Sequence, residues 1–305
     1  MSRVAVIGAG LMGHGIALTF ARAGHAVIIS DPVDDMRATA LDRIAQSLAL
    51  LGAAPPEIAA ACANVTVTPS LAEAVVDADV VFEAAPEKLT LKQAIFAEVE
   101  AHAPDTAILA SNTSVIPITQ IMGGLNTRHR ALGTHWWNPP HMIPLVEVVK
   151  TEWTNPSHAE TMHDLLAGAG KTPVMVEKDV PGFIGNRLQH ALWREAISLV
   201  ENGICTAQAV DDVVKTSFGR RLAVLGPLEN ADLVGLELTQ DIHAQVLFDL
   251  EASPSPSPLL QQLRDAGRTG MAAGAGFREW ERGDLDATKQ KVADHLRKLE
   301  AILPD

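Results

Sequence analysis

Residues 3–20 read RVAVIGAGLMGHGIALTF, and this stretch decides the fold of the chain. The run RVAVI at 3–7 is almost entirely apolar, as expected for a strand buried in a sheet. A glycine-rich turn follows, and the Ala- and Leu-rich residues after it predict a helix that ends near Gly24. Residues 27–30 are then a second strand, so the chain begins with a βαβ unit.

The glycine turn has the GxGxxG spacing between a predicted strand and a predicted helix. Gly8 permits a tight turn, Gly10 lets the backbone approach a pyrophosphate, and Gly13 allows the helix to pack closely. The amides at the start of the helix favour the phosphate charge. We therefore predict a dinucleotide site at Gly8, Gly10, Leu11, Met12 and Gly13; the alternative is a glycine turn with no ligand.

Asp31 follows the second strand, where a carboxylate can accept hydrogen bonds from the hydroxyls of an adenosine ribose. Asp34 and Asp35 come next, with no adjacent arginine to neutralise the 2′-phosphate of NADP. We therefore predict NAD as the cofactor. The alternative interpretation is a surface aspartate.

Strands and helices continue to alternate along the first part of the chain. Further strands are predicted at residues 65–67, 79–83, 106–110, 131–135 and 145–149. Residues 36–62 predict one or two helices interrupted by Pro55 and Pro56. Thr90 and Gln93 have the spacing of a capping box at a helix start.

The strand pattern fades after residues 178–182, and an apolar stripe from Ile184 to Leu199 predicts a helix. The SPSPSP run at 253–258 predicts a surface loop. We predict an α/β fold, with a doubly wound, mostly parallel Rossmann sheet in residues 1–181 and a smaller all-α domain in residues 182–305.

The composition limits the classes of partner. A net charge of −13, from 24 Lys and Arg against 37 Asp and Glu, disfavours nucleic acid and anionic membranes. Only Cys62 and Cys205 occur, so no disulfide framework or CxxC metal site is indicated. With no apolar run of membrane-spanning length and no leader pattern, we expect a cytoplasmic protein that acts on a small molecule.

His135 and Glu147 lie on consecutive predicted strands, near the sheet edge where open α/β sheets bind ligands. Oxidation of an alcohol needs a base for the hydroxyl proton, and imidazole titrates in the useful range. An ionised Glu147 beside His135 would fix its tautomer. Spacing alone also allows a core histidine and an unrelated glutamate.

Four segments decide between these interpretations: EAAPEKLTLK at 83–92, SNTS at 111–114, HWWNPPHMIPLVE at 135–147 and DVPGFIGNR at 179–187. In order and approximate spacing they resemble the motifs of the 3-hydroxyacyl-CoA dehydrogenase family. The resemblance implies that His135 is the general acid/base and Glu147 its partner. It also implies that Ser114 and Asn186 hydrogen-bond the reacting oxygen.

The same resemblance implies that Glu87, Lys92 and Asn138 line the nicotinamide-ribose side of the cofactor. Without it, Lys92 is equally a solvated helix residue and Asn138 a turn residue before proline. By the same reasoning, Ser114 is a strand-end cap and Asn186 a first-turn helix residue. It further implies L stereochemistry at the oxidised carbon, a role in fatty acid metabolism and a homodimer through the C-terminal domain.

Several other histidine and tryptophan residues give no clear indication of function. His14 is either a helix-surface residue or a cofactor contact, and His141 has no partner at metal-ligand spacing, so no metal is predicted. Trp136 and Trp137 could line the active cleft, but adjacent tryptophans at the end of a strand are expected to be packing residues. Two rival functions are a non-catalytic, crystallin-like NAD-binding protein and a β-hydroxyacid dehydrogenase that uses Lys171.

The sequence leaves the substrate class open. A coenzyme A thioester carries several phosphate charges, which proteins meet with Lys, Arg or helix N-termini. Residues 36–62 contain only Arg37 and Arg43 as cations, and Ala272 stands where the family's KxGxGF segment has lysine. The signature is also similar to relatives that act on free acids, namely carnitine, gulonate and hydroxymethyl-pyridine-carboxylate dehydrogenases. Hydride transfer with a histidine base is common to both classes.

Overall fold

The structure is a computed structural model that describes residues 1–302 of the chain. It divides into two compact units, Met1–Arg187 and the residues from Leu188 onward. The first unit is built on one sheet, and the second is helical. An α/β Rossmann fold followed by a helical part confirms the predicted fold class.

The first unit contains, among the described residues, one sheet of eight strands in the order β3-β2-β1-β4-β5-β6-β7-β8. The strands are β1 Arg3–Ile7, β2 Ala26–Ser30, β3 Val65–Thr68, β4 Val80–Glu83, β5 Ile108–Ser111, β6 Ala131–Trp136, β7 Leu145–Lys150 and β8 Thr172–Val176. All neighbours pair in parallel except β6 and β7. The order reverses between β1 and β4, which opens a crevice at their carboxyl ends.

Both faces of the sheet are buried, as parallel sheets require. Alternate residues of β1 face opposite sides: Val4 and Val6 join one core cluster, and Ala5 and Ile7 join the other. The first cluster includes Ile16 and Phe20, and the second includes Phe96 and Val99. The near-continuous apolar runs of the strands follow from this double burial.

The helices of the first unit cover these two faces. They are α1 Leu11–Arg22, α2 Asp34–Ala38, α3 Ala40–Leu50, α4 Pro55–Ala63, α5 Leu71–Val75, α6 Leu89–His102, α7 Ile118–Met122 and α8 Pro156–Gly168. Three helices therefore stand where one or two were predicted before β3. Pro55 and Pro56 begin α4 rather than interrupt a helix, because proline fits the first turn, where its missing N–H costs no hydrogen bond.

The predicted capping box at Thr90 and Gln93 is wrong. Lys88 is the N-cap of α6 and has no side-chain cap bond, so Thr90 lies inside the first turn. Gln93 Nε2 instead donates to the carbonyl of Gln120 at 2.9 Å. The spacing matched, but tertiary contact with α7 determined the partner.

Two strand predictions need correction. β5 begins at Ile108 rather than at residue 106, because Asp105 and Thr106 form a turn in which Ala107 N donates to the carbonyl of Pro104. β8 was not predicted, because Thr172–Val176 alternates exposed and partly buried residues and contains Pro173. Proline is tolerated there because β8 is an edge strand.

The glycine turn between β1 and α1 is sterically determined. Gly8 has φ +106°, and a Cβ on it would lie 2.8 Å from the carbonyl oxygen of Ala84. A Cβ on Gly13 would lie 1.8 Å from the carbonyl oxygen of Gly8. The two positions therefore exclude any side chain, as the sequence pattern predicts.

The helices of the second part are α9 Gly185–Glu201, α10 Ala207–Thr216, α11 Pro227–Val234, α12 Leu236–Val246, α13 Pro258–Asp265 and α14 Asp284–Glu300. The helix predicted from Ile184 onward is α9, which begins before the division at Arg187. The predicted loop at 253–258 is confirmed for residues 253–257, whereas Pro258 is the first residue of α13.

The domain boundary at residue 181 stays a prediction. Within residues 1–302, no helix is both long and apolar enough to cross a bilayer.

Candidate active site

A cavity of about 340 Å³ lies in the first unit at the carboxyl ends of β4, β5 and β6. It is lined by Met12, Ala84, Ala85, Glu87, Asn112, Ser114, His135, Trp136, Trp137, Asn138 and Asn186. Ala84 follows β4, Asn112 follows β5 and His135 lies near the end of β6. The ends of three neighbouring strands therefore form the wall of this cavity. Open α/β sheets bind ligands at this edge.

His135 and Glu147 meet in this wall. They are directly paired positions of the antiparallel strands β6 and β7. Nδ1 of His135 lies 2.6 Å from Oε2 of Glu147, and both residues are buried. Side chains at paired positions lie on the same face of the sheet. His135 and Glu147 are therefore in contact although twelve residues separate them in the sequence.

Glu147 is held on its other oxygen as well. Oε1 accepts hydrogen bonds from the amides of Ile184 at 2.8 Å and Gly185 at 3.0 Å. Burial acts to raise the pKa of Glu147, but the bonds from His135 and from these two amides outweigh it and lower the pKa. Glu147 is therefore an ionised acceptor for the Nδ1 proton of His135, which leaves Nε2 as the unprotonated nitrogen of a neutral imidazole.

Asn186 links this nitrogen to Ser114. Asn186 Nδ2 is 3.5 Å from Nε2 of His135 and donates to the backbone carbonyl of Ser114 at 2.8 Å. Both residues line the cavity. Asn186, at the start of α9, therefore connects the imidazole of His135 to the loop that follows β5.

Glu87 contacts the backbone of Ser114, and Lys92 contacts Glu87. Glu87 Oε1 accepts from Thr113 Oγ1 at 2.6 Å and from the amide of Ser114 at 2.9 Å. Burial acts to raise the pKa of Glu87, but the bond from Thr113, the charge of Lys92 and backbone amides lower it overall. Lys92 is buried, with 1% of its side chain exposed, and its Nζ donates to Glu83 Oε1 at 2.7 Å. It is not the solvated helix residue that α6 alone would suggest.

The glycine turn fits a dinucleotide. The N-cap of α1, Gly10, makes no side-chain cap bond within the described residues, and the first turn carries no acidic side chain. A Cβ on Gly10 would meet nothing within 4 Å, so the turn faces open space. Uncapped amides beside open space are suited to a pyrophosphate. Met12 lines the cavity and Leu11 is 61% exposed.

Asp31 is tied to this turn at the end of β2. Its Oδ2 accepts from the amide of Ala9 at 2.7 Å, and its Oδ1 accepts from the amide of Val33 at 2.9 Å. The expectation that no arginine lies near it is wrong, because one turn of helix brings Arg37 back to the carbonyl of Asp31 at 2.7 Å. The guanidinium also pairs with Asp34, so a carboxylate already neutralises it.

Asn112 is a residue of the site that the sequence analysis did not single out, whereas Trp137 was considered there as a possible cleft residue. Asn112 Oδ1 accepts from the amide of Trp136 at 3.0 Å and lines the cavity; it stands in the SNTS motif, from which only Ser114 was selected. Trp137 lines the cavity with its ring 5.2 Å from that of His135. Trp136 is 2% exposed and packs on Phe20 and Phe82, as predicted for a packing residue.

His14, which is buried, and His141, which is half-buried, lie close to each other. His14 Nδ1 lies 2.9 Å from the carbonyl of Gly10, and its ring centroid is 6.2 Å from that of His141. Burial, helped by the charges of His14 and Lys171, lowers the pKa of His141 to about 4. Across residues 1–302, no cluster of side chains suited to a metal ion is present.

A glycine turn suited to a dinucleotide, with a buried histidine hydrogen-bonded to a carboxylate in the nearby cavity, is the arrangement of an NAD-dependent dehydrogenase that acts on a CH–OH group. The comparisons with known proteins agree. Residues 3–180 match the model of the 3-hydroxyacyl-CoA dehydrogenase NAD binding domain, and residues 182–280 match that of the C-terminal domain of the same family.

Similar proteins span between about three quarters of the chain and nearly all of it. The 5-formyl-3-hydroxy-2-methylpyridine 4-carboxylate 5-dehydrogenase of Mesorhizobium japonicum is 35% identical over 302 residues, covering 98% of this chain and 96% of the relative. An L-carnitine dehydrogenase of Streptomyces griseus is 40% identical over 235 residues, covering 77% and 70%. A crystal structure of a 5-formyl-3-hydroxy-2-methylpyridine 4-carboxylic acid 5-dehydrogenase, described as an NAD+ dependent dismutase, has a TM-score of 0.91 at 33% identity, with 99% and 98% covered. The chain belongs to the 3-hydroxyacyl-CoA dehydrogenase family.

Proposed function

We propose that this enzyme oxidises a hydroxy acid that is not carried on coenzyme A, with His135 as the general base. The observation that carries the proposal is the buried His135–Glu147 pair in the wall of the cavity, with Nε2 beside Asn186. The resemblance of the motifs supports L stereochemistry at the oxidised carbon.

His135 Nε2 would take the hydroxyl proton of the substrate while the carbon gives up its hydride. NAD, when bound, supplies the hydride acceptor. Glu147 stabilises the resulting imidazolium, because its carboxylate lies 2.6 Å from Nδ1 in a buried site. Ser114 and Asn186 would hydrogen-bond the substrate oxygen and hold it in line with the base.

For the cofactor, we propose contacts with the glycine turn and with residues around the cavity. The turn residues Gly8, Gly10, Leu11, Met12 and Gly13 would hold the pyrophosphate. Asp31 would accept from the adenosine ribose, and its neighbour Arg37 is already paired with Asp34, which supports NAD over NADP. Glu87 and Asn138 line the cavity, and together with Lys92, whose Nζ lies 3.3 Å from Glu87 Oε2, they would lie at the nicotinamide-ribose end.

The cations of residues 36–62 support a substrate without coenzyme A. Arg37 is engaged by Asp34 and by the carbonyl of Asp31. Arg43 donates to the carbonyls of Met36 at 2.8 Å and Thr39 at 3.3 Å. Arg37 is therefore neutralised by a carboxylate, and the charge of Arg43 alone is little for the several phosphate charges of coenzyme A. The relatives named above as acting on a pyridine carboxylate and on carnitine point the same way.

An L-3-hydroxyacyl-CoA thioester is the second candidate, because the models that match both parts of the chain are those of 3-hydroxyacyl-CoA dehydrogenase. A side-by-side assay separates the two. NADH formation from free hydroxy acids, carnitine among them, is measured against NADH formation from a 3-hydroxyacyl-CoA at equal concentrations. Our proposal expects at least ~10-fold higher kcat/KM on a free acid. A preference for the thioester would overturn it.

The rival functions have less support. Lys171 Nζ donates to the carbonyls of Pro140 at 2.6 Å and Ile143 at 3.0 Å, so a lysine-dependent mechanism would first have to release it. A non-catalytic NAD-binding role does not require the His135–Glu147 arrangement. NADH formation by any hydroxy acid, retained in a Lys171→Ala variant, would exclude both.

We further propose a homodimer formed through the helical part and a cytoplasmic location. Large apolar side chains are exposed there, with Phe248 at 83%, Leu228 at 79% and Leu233 at 73% exposure. Exposed apolar residues in such numbers support a covered surface. Light scattering on the purified protein tests the dimer: a mass near 65 kDa, about twice the 32.4 kDa chain, supports it, and a monomer mass contradicts it.

A further inference from the structure

Trp137 is a large aromatic residue of the cavity wall to which the function proposed above gives no role. It follows β6, two positions after His135, and alternate residues of an extended chain point to the same side. Its ring centroid lies 5.2 Å from that of His135, at an interplanar angle of 54°. The indole of Trp137 therefore lies beside the histidine that the proposed function uses as the base.

The indole is packed against Gly185, the first residue of α9. A Cβ on Gly185 would lie 2.4 Å from Cζ2 of Trp137 and 3.3 Å from its Cε2 and Cη2. Carbon atoms in van der Waals contact are ~3.5–4.0 Å apart, so the ring fills the space that a side chain at position 185 would need. The amide of Gly185 also donates to Glu147 Oε1 at 3.0 Å, which holds the backbone there in place. The ring therefore cannot move towards α9.

Packing, and not hydrogen bonding, holds the ring of Trp137. Its Nε1 is buried and has no hydrogen-bond partner within residues 1–302. A smaller apolar ring at this position would therefore break no hydrogen bond. It would change only the volume and the shape of the cavity.

The indole also borders the place where the proposed function puts the reacting hydroxyl. Asn186 follows Gly185, its Nδ2 lies 3.5 Å from Nε2 of His135, and both side chains line the cavity. The cavity of about 340 Å³ is at the lower end of the ~300–1,000 Å³ that ligand pockets usually have, and it would have to hold the nicotinamide as well. An indole in its wall therefore leaves little room for the rest of the substrate.

We propose that Trp137 is a specificity-determining residue, whose indole restricts the enzyme to substrates with a short chain beyond the hydroxyl-bearing carbon. The inference rests on the proposed function and narrows its substrate class to compact hydroxy acids. A longer chain would have to displace the ring, and the contact with Gly185 leaves the ring no space to retreat on that side.

Free L-3-hydroxybutyrate and free L-3-hydroxyoctanoate test the proposal, because they differ only in the length of this chain. The kcat/KM of each acid is measured by NADH formation, and the wild type should prefer the four-carbon acid at least ~10-fold. Trp137→Phe should reduce this preference at least ~5-fold, because the smaller ring makes room for the longer chain. Trp137→Leu should reduce it further, and it takes the place of Trp137→Phe if that variant does not fold.

Two further comparisons make the test specific. Trp153→Phe is the matched control, because Trp153 packs against Arg128 and does not line the cavity, so the preference should stay unchanged. Gly185→Ala should lower the urea midpoint less in the Trp137→Phe background than in the wild type, since the smaller ring leaves space for the new Cβ.

Three results would overturn the inference and leave the proposed function standing. One is a wild type that oxidises both free acids with equal kcat/KM. Another is an unchanged preference for the four-carbon acid in both Trp137→Phe and Trp137→Leu. The third is full additivity of the Gly185 and Trp137 changes in the urea midpoint, which would show that the ring does not depend on this contact.

Two results bear on the proposed function itself. Turnover of 3-hydroxyacyl-CoA thioesters alone would contradict the proposed function, and the preference between the four-carbon and eight-carbon thioesters, measured in the same variants, would then decide the inference. A wild type that oxidises neither the free acids nor the thioesters would contradict both.

Discussion

Nδ1 of His135 lies 2.6 Å from Oε2 of Glu147, and the two residues are directly paired across the antiparallel strands β6 and β7. The sheet itself therefore fixes the separation, since neither side chain depends on a loop to reach the other. The antiparallel turn of the chain after β6 is what allows this. In a parallel crossover, residues so close in sequence would not return to the same edge.

His135→Gln should lower kcat ~10²–10⁴-fold, because glutamine cannot take the hydroxyl proton. The Kd for NAD+ should change less than ~3-fold, since binding depends on the glycine turn and Asp31. Stopped-flow NADH absorbance and fluorescence titration measure the two quantities. Loss of NAD+ affinity with turnover intact would reverse the assignment.

Glu147→Gln should lower kcat ~10²–10⁴-fold as well, because the neutral amide cannot stabilise an imidazolium at Nδ1. The double variant His135→Gln/Glu147→Gln should be little worse than the more damaging single variant, since both remove one catalytic unit. The kcat values of the four proteins at a single pH provide the test. Multiplicative losses would show that the two residues act separately.

Asp31→Ala should weaken NAD+ binding ~10- to 100-fold while kcat at saturating NAD+ stays within ~3-fold. The change removes the proposed ribose acceptor and leaves the amides of Ala9 and Val33 without their carboxylate. Asp35→Ala makes the same charge change at an exposed position and should leave NAD+ affinity nearly unaltered. Isothermal titration of both variants makes the comparison, and equal effects would count against a specific role for Asp31.

Gly185→Ala should lower stability by ~1–3 kcal/mol and reduce kcat. A Cβ there would lie 2.4 Å from Cζ2 of Trp137, beside His135, and the amide of Gly185 is also one of the donors to Glu147. Gly168→Ala is the matched control, because a Cβ at that position meets nothing within 4 Å. Urea unfolding measures the stability of the two variants, and NADH assays measure their kcat. Unchanged stability and kcat in Gly185→Ala would show that the Trp137 ring can move freely.

Stability should fall as the pH drops from 6.5 towards 4, partly because of His141. Burial lowers its pKa in the folded protein from 6.5 to about 4, so the unfolded chain binds the proton first across this window. The contribution is fully present above pH 6.5 and is lost as the pH falls to about 4; allowing for partial exposure, it amounts to on the order of 1–2 kcal/mol.

His141→Phe should therefore flatten the dependence of the urea midpoint on pH between 6.5 and 4. His14 contributes in the same direction, because burial lowers its pKa as well. His102→Gln, at an exposed position of α6, is the control that should leave the slope unchanged. Parallel curves for all three proteins would show that His141 does not titrate in this way.

Much of the fold could be predicted from the sequence, because strand periodicity and the glycine spacing are local signals. The Gly8 and Gly13 positions are examples, since backbone atoms leave no room for a side chain at either. β8 could not be predicted, because an edge strand with Pro173 and half-exposed residues lacks the buried-strand pattern. The capping box failed for a similar reason, since the partner of Gln93 lies far along the chain.

Some residues of the candidate site could also be predicted from the sequence, and others could not. His135 and Glu147 could be proposed because a motif and a strand pattern coincide there. The place of Lys92 could not, because its burial depends on Glu83 and Glu87 closing over it from another element. The hydrogen bond from Arg37 to the carbonyl of Asp31 could not be predicted either, because it depends on the short helix α2 folding the chain back towards Asp31.

A crystal structure with NAD+ and a bound hydroxy acid tests the central claim most directly. Our account predicts that Nε2 of His135 lies within ~3–3.5 Å of the substrate hydroxyl, with the hydroxyl-bearing carbon facing the nicotinamide ring at a similar distance. A nicotinamide bound elsewhere, or a hydroxyl held by another base while His135 points away, would contradict it.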